Sequence, residues 1–323
     1  MKNKMQAYKT ELNQQYWDYQ KRQFPVWQRF FDRPQAQEIR PPVFKSSKEW
    51  RNVLVKPDAS RQDINRLLAL LPIADRHRWF QSMNSSQALA QSVLGNLSIY
   101  DLLGHLGELH DDDGMELFGN AQVVSANFSM EAHVNYLGEP RKTSLDGFID
   151  GDYRVAIECK FAEAEIGTCS RPRLKPADSN YDRDSCNGTY TWQKARKERC
   201  PLTEIGVLYW QYVSQLFQWN NDQDLTPCPL NANYQFVRNI LAIGVRPDGL
   251  VSPANGHVLL LYDERNPAFQ VGGKGFTALT ETRKALREPT MLRKCSWQRI
   301  VQHMRNRNIL PWLTEQLVLK YGL

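Results

Sequence analysis

The sequence predicts an α/β protein whose centre is one mixed β-sheet flanked by helices. In the middle of the chain, hydrophobic periodicity and turn residues give the order helix, three strands, helix, two strands, which contains the order αβββαβ. Strands joined by a tight turn pair antiparallel, whereas strands joined through a helix pair parallel, so this order predicts both kinds of pairing. Helical patterns at both ends of the chain predict additions outside this central unit.

The strands are predicted from alternation and from a hairpin signal. Apolar residues alternate over 122–136, which is typical of a strand with one buried face. Two β-type runs then flank Gly151-Asp152, and a two-residue loop that contains glycine predicts a β-hairpin. The predicted strands are 122–136, 148–150, 153–161, 240–245 and 257–262.

The helices are predicted from apolar residues spaced three and four apart and from residues that cap or stop a helix. Ser60 with Asp63 is typical of an N-terminal cap, and Pro25 ends the first helix because proline disrupts a helix interior. The predicted helices are 9–24, 61–71, 87–94, 203–219, 277–287, 296–305 and 312–321, with shorter helical segments at 74–80 and 98–109.

Composition indicates an ordinary globular protein. A chain of 323 residues, 41% of them hydrophobic and 24% charged, is long enough to bury a large core. We expect a helical N-terminal extension over 1–80, the central unit over 81–270 and a basic helical segment over 271–323. No apolar run approaches the roughly 18 residues of a membrane span and no apolar stretch follows Met1, so a cytoplasmic protein is expected.

The predicted hairpin brings three charged side chains together. Glu158 and Lys160 are two residues apart and therefore lie on one face of the second hairpin strand. Asp146 lies in a turn-like segment just before the first hairpin strand. Because a hairpin places the start of its first strand beside the end of its second, we expect the three side chains to converge. The side chains that alternate with Glu158 and Lys160 on the second strand should point the other way, into a core.

Two carboxylates and an ammonium group suit metal-assisted cleavage of a phosphodiester. Oxygen ligands, waters and a phosphate oxygen complete the octahedron that Mg²⁺ prefers, and Mn²⁺ is the alternative ion. Such an ion activates water and neutralises charge on the phosphate, while a lysine orients the water or stabilises developing charge. The competing interpretation is a solvated glutamate and lysine on an exposed strand, because Glu-x-Lys often occurs by chance.

The arrangement resembles the PD-(D/E)xK nuclease superfamily, which includes many restriction endonucleases. Asp146 corresponds to its first acidic residue, Glu158 to its second and Lys160 to its lysine, while Leu145 replaces the usual proline. The αβββαβ order is similar to the restriction-endonuclease-like core, so 81–270 is identified as the nuclease core. Short strings resemble a PGN-type bacterial group of the superfamily, at 85–89, 137–139, 158–161, 167–172, 200–203 and 265–267.

The resemblance implies that the first core helix or a nearby loop supplies a further metal ligand. Gln87 and Glu108 are the candidates from the helical region, and Glu139 is the candidate from the loop before the hairpin. A capped helix start explains Gln87 equally well, and Glu108 has the alternative of an ordinary surface residue. The sequence does not choose among the three.

Two basic segments predict contacts with a polyanion. The formal net charge is +6, and nine Lys or Arg residues lie in 274–307 against two glutamates. In 171–199, basic residues alternate with tyrosine and tryptophan, which suits phosphate neutralisation combined with base stacking. A solvated helical face is the alternative for either segment. The candidate nucleic-acid-binding residues are Arg171, Arg173, Lys194, Arg196, Arg283, Lys284 and Arg287.

The six cysteines are expected to be reduced thiols. Cys159 should be buried on a strand, and no two cysteines have the Cys-x-x-Cys spacing of many metal sites. Whether Cys169, Cys186, Cys200 and Cys228 bind a metal is left open by the sequence.

These features predict a metal-dependent DNA endonuclease that acts in restriction or phage defence. Two other classes are open: a nucleic-acid-binding protein that has the fold without activity, and a hydrolase of small phosphorylated substrates. The intact Asp146, Glu158 and Lys160 argue against the first, and the lack of a glycine-rich phosphate loop argues against the second. DNA is the expected partner and no membrane is, while a homodimer or a partner protein of a defence system is left open.

Overall fold

A five-stranded mixed β-sheet lies at the centre of the computed structural model, which describes residues 2–33, 39–139, 143–170, 186, 200–219, 225 and 228–323. Its strands follow the order of the chain: β1 (Phe128–Val134), β2 (Thr143–Ile149), β3 (Arg154–Cys159), β4 (Gly256–Tyr262) and β5 (Leu292–Ser296). The first three strands pair antiparallel, and β3, β4 and β5 pair parallel. The predicted α/β class with a mixed sheet is confirmed, and the architecture is consistent with a restriction-endonuclease-like core.

Helices flank this sheet and supply the parallel crossovers. The helices in the described residues are α1 (Lys2–Gln23), α2 (Arg61–Ala69), α3 (Ser86–Ala90), α4 (Asn96–Ile99), α5 (Pro201–Glu204), α6 (Tyr209–Leu216), α7 (Pro229–Ala232), α8 (Tyr234–Gly244), α9 (Lys274–Ala285), α10 (Trp297–Asn306) and α11 (Pro311–Tyr321). A π-helical segment, Gln91–Gly95, joins α3 to α4. Helix α8 lies between β3 and β4 in the chain, and α9 lies between β4 and β5. Over the described ranges, no helix has the length and apolar character that a membrane crossing requires.

Several predicted helix ends are confirmed by capping contacts. Ser60 Oγ accepts a hydrogen bond from the Asp63 backbone N–H at 3.1 Å, which caps α2. Ser85 Oγ caps α3 by accepting from the Ala88 N–H at 3.2 Å, and the helix predicted over 87–94 continues to Ile99. The short helical segments are smaller than predicted and consist of the 3-10 turns Ile73–Asp75 and Leu103–Glu108.

One predicted strand is wrong and one strand was missed. Residues 240–245 belong mostly to helix α8, in which every residue from Asn239 to Gly244 is buried. A short apolar run that is buried on all sides has no periodicity to separate a helix from a strand. Strand β5 was missed because Arg293 and Lys294 interrupt its apolar pattern. Both charges are satisfied in the fold, since Arg293 Nη1 donates to the Glu116 carbonyl at 2.5 Å and Lys294 Nζ lies 3.2 Å from Asp112 Oδ2.

Two other elements are shorter than the sequence predicts. The strand predicted over 122–136 begins only at Phe128, after a 3-10 turn at Ser125–Asn127. The helix predicted over 203–219 is divided into α5 and α6. Gly206, between them, has a φ of 94°, a conformation that glycine adopts readily and that a continuous helix excludes.

The two faces of the sheet pack against separate hydrophobic cores. The first core joins β3 side chains Val155, Ile157 and Cys159 to aromatic residues of α1, α10 and α11. The second core lies on the other face of the sheet, where it joins Ala156 and side chains of β4 to α6, α8 and α9. The alternation predicted for β3 is confirmed. Residues of the predicted N-terminal extension, nuclease core and C-terminal segment share the first core, so these three segments pack together.

Candidate active site

The β2–β3 hairpin brings Asp146, Glu158 and Lys160 together, as the sequence predicts. Gly147 pairs with Ile157 in the antiparallel register, which places Asp146 beside Glu158. Lys160 Nζ lies 2.8 Å from Glu158 Oε1, and Asp146 Oδ2 accepts a hydrogen bond from the Cys159 N–H at 2.7 Å. The position of Asp146 differs from the prediction in one respect. It lies within β2 rather than in a turn before the strand, because β2 begins at Thr143 and pairs with β1 along its length.

Helix α8 holds the Glu158 carboxylate. Gln235 Nε2 donates to Glu158 Oε1 at 2.7 Å and Asn239 Nδ2 donates to Oε2 at 2.8 Å. Gln235 and Asn239 are four residues apart and therefore share one face of the helix. Gln235 Oε1 also accepts from Lys160 Nζ at 3.0 Å. These two amides were missed because 240–245 was interpreted as a strand. On a recognised helix, the Gln-x-x-x-Asn spacing would have placed both amides on one face.

A third carboxylate, Glu131, completes a cluster that the sequence analysis missed. Met130 pairs with Gly147 and Ala132 with Leu145, so Glu131 of β1 lies opposite Asp146. Its φ is 47°, a left-handed conformation that costs a non-glycine residue about 1–2 kcal/mol. Such conformations persist where the surrounding structure enforces them, often at functional sites. We call Glu131, Asp146 and Glu158 the carboxylate cluster. The register of the strands brings the three carboxylates together, and that register is not visible in the sequence.

Hydrogen bonds fix the side chain of Glu131 from two sides. Gln87 Nε2 donates to Glu131 Oε1 at 2.5 Å, and the Ser144 hydroxyl donates to Oε2. Gln87 Oε1 in turn accepts the His77 backbone N–H at 2.9 Å. Gln87, one of the predicted metal ligands, therefore lies at the site, but its oxygen is engaged by His77 and its amide group positions Glu131.

Among the described residues, the three acids of the carboxylate cluster have one basic side chain paired with them, that of Lys160. Burial raises the pKa of Asp146 well above its ordinary value, and the charges of Glu158 and Glu131 raise it further. Burial also raises the pKa of Glu131, against the lowering effect of its hydrogen bonds. Burial alone would lower the pKa of Lys160, but the neighbouring carboxylates Glu158, Glu163 and Asp146 raise it, so its ammonium group is held in the charged form. This excess of negative charge favours a bound cation.

The donor set fits a hard divalent ion. Carboxylate oxygens are the ligands that Mg²⁺ and Mn²⁺ prefer, and Mg²⁺ usually retains several waters. From the described residues Glu158 accepts three hydrogen bonds, which leaves about one of its roughly four lone-pair positions for an ion. Across the described ranges, no three His, Cys, Asp or Glu side chains are close enough to enclose an ion by themselves. Waters or a substrate phosphate would therefore complete the coordination.

The cluster opens into a cleft of about 900 Å³ with walls from three parts of the chain. The N-terminal segment contributes Arg40, Arg76, His77 and Trp79. Strands and the segment after β3 contribute Glu131, Asp146, Lys160 and Glu163, and helix α8 contributes Gln235 and Arg238. Basic and aromatic side chains thus line the approach to the carboxylates, an arrangement that suits a phosphate backbone with bases attached.

Both ends of the chain hold the backbone that follows β3. Trp297 Nε1, on α10, donates to the Lys160 carbonyl at 3.1 Å. The Tyr8 hydroxyl, on α1, donates to the Phe161 carbonyl at 2.9 Å. The Lys160 N–H donates to the Leu261 carbonyl of β4 at 2.8 Å. The position of the lysine therefore depends on packing of the terminal helices.

Two other predicted metal ligands lie elsewhere. Glu108 forms an ion pair with Arg307 and borders a different cavity, because the segment after α4 turns away from the sheet edge at which Asp146 lies. Glu139 accepts a hydrogen bond from the Tyr209 hydroxyl and is not among the residues that line the cleft. The structure therefore does not bring Glu108 or Glu139 to the carboxylates.

The predicted nucleic-acid-binding residues divide into two groups. Arg171, Arg173, Lys194 and Arg196 lie outside the described residues. Lys284, on α9, and Arg287, just after that helix, are exposed, while Arg283 Nη2 lies 2.6 Å from Asp113 Oδ2. None of these three α9-region residues lines the cleft. The basic C-terminal segment is therefore partly neutralised within the fold.

The six cysteines are free of disulfides, as predicted. Cys159 is buried in the first core, and Cys169 and Cys228 are buried in the second. Burial raises the pKa of Cys228 to about 12, so this thiol is protonated near neutral pH. These thiols behave as apolar core residues in the structure.

Comparison with known proteins gives one family match. Residues 26–322 match the family described as Restriction Endonuclease associating with ARP (REase-ARP). Comparison with curated proteins and with solved structures found no match. The matched region contains the whole sheet, the carboxylate cluster, Lys160 and every residue named above as lining the cleft. The chain therefore belongs to the REase-ARP family of restriction endonucleases.

Proposed function

We propose that this protein is a metal-dependent DNA endonuclease that hydrolyses phosphodiester bonds in restriction or phage defence, with a site of the PD-(D/E)xK type. The observation that carries the proposal is the placement of Asp146 beside Glu158, with the Lys160 ammonium 2.8 Å from the Glu158 carboxylate, at a cleft lined by basic residues. Membership of a restriction endonuclease family supports the same activity.

In this proposal, Asp146 and Glu158 would hold Mg²⁺ or Mn²⁺, and Glu131 would hold the ion's waters or provide a further ligand. A bound ion supplies Lewis-acid activation of water and neutralises phosphate charge. Gln235 and Asn239 keep the Glu158 carboxylate in one orientation before substrate arrives. The Cys159 N–H does the same for Asp146. Such preorganised groups need little rearrangement during the reaction.

Lys160 acts on the substrate side of the site. Its ammonium is held charged by neighbouring carboxylates and can donate to the attacking water or to a phosphate oxygen. Because Lys160 lines the cleft, it has access to a bound phosphate. The family description names association with ARP, and we propose that a partner of this kind acts together with the nuclease. A homodimer, which the sequence analysis left open, is independent of this proposed partner.

Cleavage of supercoiled plasmid DNA by the purified protein tests the proposed activity. We expect nicked or linear plasmid with Mg²⁺ or Mn²⁺ and none with EDTA. Asp146→Ala should reduce cleavage by more than about 1,000-fold, because the cluster loses a carboxylate that contacts the ion. Asp150→Ala is the matched control, since Asp150 is an exposed aspartate just after the same strand.

The outcomes separate the competing functions. Equal cleavage by the wild type and Asp146→Ala would reject the assigned site. DNA binding without cleavage in either ion would favour a nucleic-acid-binding protein without activity. Hydrolysis of a small phosphomonoester such as p-nitrophenyl phosphate, with plasmid left intact, would favour the third class.

A further inference from the structure

We infer that Trp79 is a stacking platform for an unpaired nucleobase, so that the substrate has a single-stranded segment beside the carboxylate cluster. The inference rests on the proposed function and deepens it by naming the substrate class. It follows from three observations: the exposure of an aromatic ring, the rigid turn that carries it and the cleft that it shares with Asp146 and Lys160.

Trp79 is exposed where no packing requirement explains it. Its side chain is 55% exposed, and it is the one aromatic residue among the strongly exposed large hydrophobic residues of the described ranges. Arg78 lies beside it, with its guanidinium carbon 5.1 Å from the centroid of the Trp79 ring. An aromatic ring next to a cation is the combination with which proteins bind single-stranded nucleic acids, because the ring stacks on a base and the cation attracts the backbone.

The turn that presents Trp79 is braced by side chains and backbone. Arg76 Nη1 lies 2.6 Å from Glu49 Oε1, and the Arg76 guanidinium stacks on the Phe80 ring at 4.8 Å. The Phe80 N–H donates to the His77 carbonyl at 2.8 Å, and the Ser82 N–H donates to the Trp79 carbonyl at 2.9 Å. The backbone that carries the exposed indole is therefore fixed. A preorganised ring loses little conformational freedom when a base stacks on it.

The turn is also connected directly to the carboxylate cluster. The His77 N–H donates to Gln87 Oε1, whose amide group donates to Glu131. Trp79, Asp146 and Lys160 line the same cleft. A base stacked on Trp79 would thus belong to the strand whose phosphates reach the site. The same cleft carries the cations of Arg40 and Arg238, which favours a nucleic acid over an uncharged partner.

The stacked base must be unpaired. In a duplex, each base has neighbours stacked on both of its faces, so an indole approaching from a groove does not reach a free face. Enzymes that contact base faces act on single strands or on bases removed from the stack. Trp79 therefore predicts a preference for single-stranded, mismatched or partly unwound DNA over a perfect duplex.

Binding without cleavage tests the inference. The full chain in EDTA is titrated into a fluorescein-labelled single strand of about 16 nucleotides, and into the same strand annealed to its complement. Trp79→Ala should weaken single-strand binding about 5- to 100-fold, as expected for the loss of one base stack, and duplex binding less than twofold. Trp79→Phe should retain most of the affinity. Ile73→Ala, an exposed apolar residue of the same segment that does not line the cleft, is the matched control.

A salt series identifies the cause of the loss. Stacking releases no counterions, so the affinity ratio of wild type to Trp79→Ala should stay constant as salt rises. No loss of single-strand affinity in Trp79→Ala, or equal losses for single strand and duplex, would overturn the inference. Either result can occur while the wild type still cleaves plasmid with Mg²⁺, so the inference can fail without the proposed function. Thermal unfolding of each variant checks that the exposed substitution leaves the fold intact.

Discussion

Two groups of acidic residues in this molecule differ in how their charges are matched. In the acidic turn, Asp111–Asp113, cations of the C-terminal segment match two of the three carboxylates. Lys294 Nζ lies 3.2 Å from Asp112 Oδ2 and Arg283 Nη2 lies 2.6 Å from Asp113 Oδ2. Asp111 is buried, and its Oδ1 accepts backbone N–H groups of the turn itself. These contacts join the turn to β5 and α9, so the charges serve to connect parts of the fold.

The carboxylate cluster lacks this balance. In the part of the chain that the structure describes, the one ion pair of Glu131, Asp146 and Glu158 joins Glu158 to the Lys160 ammonium, and the other polar contacts of Glu158 come from neutral amides. Buried carboxylates without matching cations reduce stability and shift pKa values, and such arrangements are concentrated at functional sites. The comparison teaches that charge matching, more than the number of acids, distinguishes a structural cluster from a candidate active site.

Removal of the Lys160 cation should have the largest effect on cleavage and on stability. Lys160→Ala should lower the cleavage rate about 100- to 10,000-fold, because the group that contacts water or phosphate is lost. The sequence alone predicts little change in thermal stability. The structure predicts a loss, because Glu158 would keep a buried charge without its 2.8 Å partner, and breaking such pairs costs about 3–5 kcal/mol.

A double variant tests the cause of the stability loss. Lys160→Ala combined with Glu158→Gln should recover thermal stability relative to Lys160→Ala alone, because the unpaired buried charge is removed, and differential scanning fluorimetry measures this recovery. Because Glu158→Gln also removes a proposed metal ligand, the role of Lys160 in the reaction is tested with Lys160→Ala alone. Cleavage of plasmid by that folded variant at the wild-type rate would show that Lys160 serves the fold and not the reaction.

Glu131→Gln should weaken metal binding and stabilise the metal-free protein. The folded-state pKa values of Glu131 and Asp146 are raised, so the folded protein holds more protons than the unfolded chain above about pH 4.5. Stability of the metal-free protein should therefore fall as pH rises through those raised pKa values, and Glu131→Gln should reduce the fall. Titration calorimetry should show at least about 10-fold weaker Mn²⁺ binding, because one carboxylate charge near the ion is lost.

Glu108→Gln is the matched control for that variant. Glu108 was a ligand candidate in the sequence, whereas Glu131 was not, but Glu108 pairs with Arg307 at another cavity. We expect wild-type Mn²⁺ affinity and an unchanged pH profile. If Glu108→Gln weakened binding and Glu131→Gln did not, the position of the cluster would be wrong.

The region next to the acidic turn should respond to pH with the opposite sign. His257 Nε2 lies 3.0 Å from the Leu117 carbonyl, and burial, with the charge of Arg293, lowers its pKa to about 3. The unfolded chain therefore binds the extra proton below about pH 6.5, and stability falls by up to about 1.4 kcal/mol per pH unit as pH decreases from there towards 3. His257→Asn should flatten this decline, measured as the slope of unfolding free energy between pH 6.5 and 5. An unchanged slope would exclude a buried neutral His257.

The smallest expected effect concerns the exposed cations near the end of α9. If this surface binds DNA, Lys284→Glu with Arg287→Glu should lower the slope of log affinity against log salt by about two, since each phosphate contact contributes about 0.9. Arg283→Glu should instead lower thermal stability, because it places two carboxylates together at Asp113. An unaltered slope of log affinity against log salt in the double variant would show that these cations form a solvated surface that does not contact DNA.

Local patterns in the sequence predicted the hairpin and its three charged residues. Asp146, Glu158 and Lys160 are separated by one tight turn, so alternation and turn chemistry were sufficient to bring them together. Glu131, by contrast, reaches the site through the register of β1 on β2. Gly138 and Pro140 predict a turn between these strands, but a turn that is longer than a two-residue loop does not define the register. Gln235 and Asn239 depend on α8 being a helix, and uniform burial had removed its periodicity.

The terminal helices have a consequence for how the protein opens. Because Tyr8 and Trp297 bind the carbonyls of Phe161 and Lys160, the end of β3 cannot separate from its neighbours while α1 and α10 stay packed. The amide of Lys160, which is bonded to Leu261 on β4, should then exchange with solvent deuterium only when most of the molecule unfolds. Removal of α1 should make that amide exchange through local opening, while amides in the interior of the sheet stay protected.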